Sequence, residues 1–210
     1  MTLKRKAILI GDVERAKYHP LTGFDREFQA ILTEFVIDQT TDYDAFLADR
    51  LNSYELCICF TDRWIPMTDD QTAGLVSFVA QGGGLLLVHN GISIQARPEL
   101  AQLAGGYFTG HPEQRILSYE PTSSDHPIAS GLSGFSAQEE PYQFKLDELA
   151  KATVLLTFDL DGKSCPAAWA RPFGRGRVVN LSPGHNLESM LIPAYRKLIR
   201  QSAIWLVERP

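Results

Sequence analysis

No apolar stretch in this sequence approaches the roughly 18–20 residues of a membrane span, which excludes a helix that crosses a bilayer. Cysteine is scarce: Cys57, Cys59 and Cys165 are the only three. They are too few and too irregularly spaced for a disulfide framework or a structural metal site, and they read as free thiols in a reducing compartment. Basic runs are missing as well. Twenty Lys and Arg against 25 Asp and Glu leave a net charge of −5, which gives nucleic-acid binding no support. The amino-terminal MTLKRKAILIGD has a short apolar part followed at once by charge, which suits a first strand better than a signal peptide. The expected location is therefore the cytoplasm. A dinucleotide fingerprint is also lacking. Gly82-Gly83-Gly84 has the wrong spacing and precedes a strand, where the fingerprint would follow one, so no nucleotide cofactor is expected.

What is present is a composition of 44% hydrophobic and 21% charged residues, enough for one good-sized core and a single domain over 1–210. Short apolar runs alternate with helical patterns. KAILIG (6–11) and YELCICFT (54–61) read as buried strands, with a shorter one at 36–39. Between 24 and 35 the apolar residues Phe24, Phe28, Ile31, Leu32 and Phe35 make a stripe near the helical period. A second helix is expected over 42–51. Thr68, with Gln71 three residues on, forms a capping box for a helix running to about Gln81, where the glycines stop it. Residues 85–89 form the next strand and 99–104 a short helix. This β-α-β-α rhythm implies parallel strands with right-handed crossovers and helices on both faces. After about residue 113 the texture changes. Strands are expected at 116–120, 142–146, 153–158, 167–170 and 177–181 with short loops, a more antiparallel pattern, before an amphipathic helix over 189–208.

Ligands of open parallel sheets sit beyond the carboxyl ends of the strands. Asp12 follows the first strand, Asp62 and Arg63 the third, His89 and Asn90 the LLLVHN strand, and His185 the VVNLSPGH strand. His19 lies in the loop after the first strand and reaches the same edge. These strand exits thus converge on two histidines and several charged groups. His126, in DHPIASGL, suits a turn. His111 follows a Gly-rich bend and is a second candidate to line a pocket. Glu139 and Glu140 precede a proline; they read either as solvated loop residues or as the source of one anionic ligand or general base, and periodicity does not choose between these.

The segments GGGLLLVHNG (82–91), AGGYFTGHP (104–112), DHPIASGL (125–132), EEPYQF (139–144) and CPAAWARPFGRGRVVNLSPGH (165–185) resemble, in order and spacing, the ThuA family, named for trehalose utilisation. The resemblance implies a three-layer α/β fold, flavodoxin-like and similar to class I glutamine amidotransferases. Its sheet would be mostly parallel, with helices on both faces and extra antiparallel strands in the C-terminal half. In those amidotransferases a cysteine sits at a strained strand-to-helix turn. Here His89, Asn90, Gly91 and Ile92 occupy that region, so glutamine hydrolysis is not expected. The resemblance further implies carbohydrate metabolism, with metal-assisted hydrolase or lyase chemistry on an oxidised (3-keto) sugar or glycoside. His19, His89, Glu140 and His185 would hold Zn²⁺ or a similar divalent ion. Glu140 and His89 are the catalytic candidates, Glu140 alternatively as general base. Asp12, Arg63, Asn90, Tyr142 and Arg171 are candidate substrate contacts, and Trp64 and Trp169 offer flat faces for a sugar, although core packing suits Trp169 better. A homodimer is the default assembly. Two rival readings are a non-catalytic sugar- or protein-binding module and a serine hydrolase using Ser93 with His185.

Overall fold

The computed structural model describes residues 4–122 and 125–208. Its elements, in chain order, are β1 (Arg5–Gly11), α1 (Phe24–Ile31), β2 (Phe35–Thr40), α2 (Ala48–Leu51), β3 (Leu56–Phe60), α3 (Asp69–Ala80), β4 (Gly84–Val88), α4 (Pro98–Ala104), β5 (Gly106–Gly110), β6 (Arg115–Pro121), β7 (Phe135–Glu139), β8 (Gln143–Leu146), β9 (Thr153–Leu160), β10 (Lys163–Phe173), β11 (Gly176–Leu181) and α5 (Pro193–Val207). Nine strands form one sheet in the order β2-β1-β3-β4-β11-β10-β9-β6-β7, and β5 pairs with β8 in a separate ribbon.

The strands β3 and β4 are buried along their whole length because both sheet faces are covered. Alternate residues of β1 show how the layers divide. Ala7 and Leu9 face the core that includes Phe28 of α1 and Leu198 of α5. Ile8 and Ile10 face the core that includes Leu51 of α2, Leu75 of α3 and Leu100 of α4. The capping box at Thr68 forms as expected, with Thr68 Oγ1 accepting from Gln71 N at 3.2 Å and Gln71 Oε1 accepting from Thr68 N at 3.0 Å.

Several expectations needed correction. The sheet is evenly mixed rather than mostly parallel: β2, β1, β3, β4 and β11 are parallel, whereas the pairings from β11 outward to β7 are antiparallel, in the C-terminal half as expected. The turn between β9 and β10 explains part of this. Asp161 and Gly162 both have positive φ (53° and 84°), the conformation of a two-residue hairpin, which makes its flanking strands antiparallel neighbours. The helix expected over 42–51 is broken at Leu47 into a 3₁₀ turn (Tyr43–Phe46) and α2. Gly74 of α3 presses on the chain there, since a Cβ at Gly74 would lie 2.2 Å from Phe46 O. The last helix begins at Pro193, after a 3₁₀ turn over Leu187–Leu191, because proline suits the first turn, where its missing N–H is not needed. The strands β5 and β7 had no counterpart among the sequence expectations.

Candidate metal centre

Four exits from the sheet meet at one point. His19 sits in the loop between β1 and α1, His89 directly after β4, Glu140 directly after β7, and His185 in the loop after β11. Their ligand-type atoms all lie within 4.8 Å of one another. His19 Nε2 is 2.9 Å from His185 Nδ1 and 3.4 Å from His89 Nε2. Glu140 Oε2 lies 3.7 Å from His19 Nε2, 3.6 Å from His89 Nε2 and 3.2 Å from His185 Nδ1. Donors held about 2.0–2.1 Å from a tetrahedral zinc ion are themselves about 3.3 Å apart. Glu140 Oε2 is buried among these imidazoles and has no hydrogen-bond partner. A carboxylate oxygen stranded among imidazole nitrogens fits a divalent cation well.

The local chain is shaped to deliver these groups. His89 has φ 45°, an uncommon backbone state for a residue with a side chain, of the kind that collects at functional sites. The turn closes tightly because Gly91 follows: a Cβ there would meet Cys59 O at 2.2 Å. His89 Nδ1 is 2.8 Å from Ser182 O and its ring stacks on Tyr142 with centroids 4.4 Å apart. A carbonyl can only accept, so Nδ1 carries the proton and Nε2 is left as a lone pair facing the cluster. Behind His19, Asp62 Oδ1 lies 3.5 Å from Nδ1, the carboxylate–histidine arrangement that orients metal ligands. Asp62 Oδ2 also accepts from the backbone N–H of Tyr18 and of His19.

The electrostatics separate the roles of these groups. Burial pushes His89 down to about 4, so it stays a neutral imidazole; the neighbouring His19 and His185 add to this, and Glu140 opposes it. Burial also disfavours charge on His19, but the carboxylates of Asp62 and Glu140 outweigh it and raise its pKa to about 9. Burial alone would raise Glu140, yet His185, His19 and His89 hold its carboxyl well below the usual range. In the metal-free protein at neutral pH, a proton on His19 therefore occupies the position of a cation. The neighbouring Glu139 is fully buried, and burial lifts it to about 6 against donors from Ser189, Gly184 and His185.

A pocket of about 520 Å³ opens over the cluster, lined by Lys17, Tyr18, His19, Trp64, Phe108, Gly110, His111, Glu140 and Tyr142. An aromatic chain leads inward: Trp64 to Phe108 at 5.8 Å, Phe108 to Tyr142 at 4.6 Å, then the stacked His89. His111 stands at the mouth, its Nε2 3.8 Å from Glu140 Oε2.

The other sequence candidates divide. Tyr142 lines the pocket. Asn90 supports it from below, donating to His19 O and Phe60 O at 3.4 and 3.3 Å. Asp12 and Arg63 line a separate cleft of about 530 Å³, joined by an ion pair at 2.6 Å. Asp12 reaches the centre only indirectly, accepting from the backbone N–H of Asp62 at 2.8 Å. Arg171 lines neither pocket. Its guanidinium donates to Gln102 O and Leu103 O, satisfying carbonyls at the end of α4. Trp169 is core, its indole N–H donating to Ala104 O at 2.8 Å. Ser93 Oγ lies within bonding distance of Thr61 O and Thr61 Oγ1, 2.8 and 2.9 Å away, and among the described residues no imidazole hydrogen-bonds to it. Sequence reasoning missed Phe108 and the roles of Asp62 and Glu139. A Gly-flanked aromatic at 108 was the one signal available for the first.

Among the described residues no helix is long and apolar enough to cross a membrane. A family model described as trehalose utilisation, ThuA, matches residues 21–206. The search of curated proteins gave no match. Among solved structures, a ThuA-like protein from Bacteroides uniformis is similar at 20% identity with a TM-score of 0.79, over 99% of this chain and 93% of that one. A ThuA-like protein from Parabacteroides merdae is similar at 18% identity and 0.78, over 98% and 90%. A cold-adapted β-galactosidase from Rahnella sp. R3 is similar at 17% identity and 0.70, over 99% of this chain but 32% of that one.

Proposed function

This chain belongs to the ThuA family, and from that premise we propose that it performs metal-assisted chemistry on an oxidised (3-keto) sugar or glycoside at His19, His89, Glu140 and His185. Family membership associates it with carbohydrate metabolism. The observation that carries the finer reading is the buried Glu140 Oε2, unpartnered and ringed by three imidazoles. A bound divalent ion would supply polarisation of a sugar carbonyl or a water of lowered pKa. The chain's own residues do the rest. Ser182 O and Asp62 orient the His89 and His19 rings. Trp64, Phe108 and Tyr142 offer flat apolar faces to a sugar ring, and their packing keeps water from that side of the site. His111 and Glu140 stand where a substrate hydroxyl would enter, Glu140 being the alternative general base.

The same reading takes the fold as amidotransferase-like with the nucleophile lost. His89 holds the strained position after β4, while Cys57, Cys59 and Cys165 are buried within strands. On this view there is no glutamine amidotransferase activity, and the protein is a cytoplasmic homodimer that uses no nucleotide. One observation favours a second reading, a non-catalytic sugar- or protein-binding module: the same fold makes up about a third of a β-galactosidase chain.

The test is elemental analysis with turnover of a 3-keto-glycoside. Stoichiometric metal should be lost to chelator together with turnover, and both should return on adding zinc. His185→Ala should lower metal content and leave the fold intact. Wild-type protein that holds no metal and takes up no added zinc would refute the metal reading. Metal binding without turnover of any keto-glycoside would favour the module.

A further inference from the structure

We propose that Glu139 is a positioning residue of this centre, fixing His185 through that residue's own backbone; the assignment rests on the metal reading above. His185 lies in a loop that neither helix nor strand holds, after Gly184 with φ 123°. What holds it is a carboxylate. Glu139, the last residue of β7, is fully buried. Its Oε1 accepts from Gly184 N at 2.9 Å and its Oε2 from His185 N at 3.0 Å. Burying a charge is costly unless it is fully hydrogen-bonded, and both oxygens here are spent on two successive amides of the ligand loop.

The other loop histidine is held the same way. Asp62 Oδ2 accepts from Tyr18 N and His19 N, again two successive amides ending at the ligand. Each loop-borne imidazole is thus fastened at its backbone by a buried carboxylate. Asp62 also faces the His19 ring, whereas Glu139 bonds to the loop backbone and to the Ser189 side chain. Its neighbour Glu140 enters the cluster. Two adjacent carboxylates therefore serve one centre: one supplies a donor, and the other sets the position of a second donor 46 residues along the chain. The strand β7 ends the nine-stranded sheet, so the antiparallel half closes a site whose other residues follow the parallel strands β1, β4 and β11.

The experiment is cobalt(II) titration of the full-length chain, followed by its visible absorption, with urea unfolding of the metal-free protein alongside. Glu139→Ala should weaken cobalt binding by about 10–100-fold and alter the intensity of the cobalt bands, as loss of an outer-shell partner does. Glu139→Gln keeps the volume and one acceptor oxygen, and should fall between Ala and wild type. A purely structural role would lower the unfolding midpoint and leave the affinity and spectrum of the folded fraction unchanged, and that result overturns the assignment. If Glu139→Ala does not fold, Glu139→Gln decides by the same criterion. Wild-type protein that binds no cobalt overturns the metal reading and this assignment with it. Wild-type binding with unaffected variants overturns only the assignment.

Discussion

Raising the pH of the metal-free protein from 6.5 to 9.5 should cost it about 3 kcal/mol of stability, through one side chain. His19 has an ordinary value of 6.5 and is raised to about 9 in the folded state. At about 1.36 kcal/mol per pH unit that difference is worth about 3 kcal/mol. Its side chain is 7% exposed, so solvent screening does not discount the figure heavily. The sign follows from which state binds the proton more tightly. The folded chain does, so the stabilisation is complete below about 6.5 and is lost as the pH rises through about 9. Of the other shifted groups, His89 and His126 are shifted down and Glu139 changes at about 6, whereas the buried thiols of Cys59 and Cys165, raised above their ordinary 9.0, add to the loss only at the top of the window. Urea denaturation of chelator-stripped protein at pH 6.5, 8 and 9.5 reads the effect directly. Asp62→Asn removes one of the two carboxylates that hold the proton, and should flatten the profile while lowering stability at pH 6.5. Zinc should reverse the trend, because it must displace the His19 proton, and its apparent affinity should rise up to about tenfold per pH unit below 9. A metal-free profile that is flat in the wild type, or equally steep in Asp62→Asn, would refute the electrostatic account of the site.

Two further predictions test the scaffold. Gly91→Ala should destabilise the fold by about 3 kcal/mol in chemical denaturation and weaken zinc binding, since the added Cβ meets Cys59 O and the turn must shift under His89. Arg171→Ala should cost about 1 kcal/mol from lost hydrogen bonds at the end of α4 and leave the zinc affinity from isothermal titration unchanged.

The convergence of His19, His89, Glu140 and His185 was legible because strand exits in a parallel sheet share an edge, and because Glu140 belongs to a segment that resembles the family's. Their supports were not. Asp62 and Glu139 act on backbone amides of distant loops, a role that leaves no periodicity and no spacing motif. Glu139 and Glu140 read alike, as solvated loop residues or as the source of one ligand or base, yet Glu139 is the more buried of the pair. Arg171, a candidate substrate contact from the sequence, lies on β10 and donates to the carbonyls of Gln102 and Leu103, outside both pockets. The strand β5 escaped notice because three of its five residues are Gly or Thr. In β7 only Phe135 and Ala137 are apolar, so its alternation is too weak to stand out.

Apolar patterning and capping chemistry alone established the order of the first four strands and the helices between them, because burial on both faces and a helix start each demand particular residues locally. Folding was needed to decide how the parallel and antiparallel halves share one sheet, and which of two adjacent glutamates faces three imidazoles. Those outcomes depend on hydrogen bonds and charges between residues 40 to 170 positions apart, and in a linear chain nothing distinguishes such partners until the sheet has brought them together.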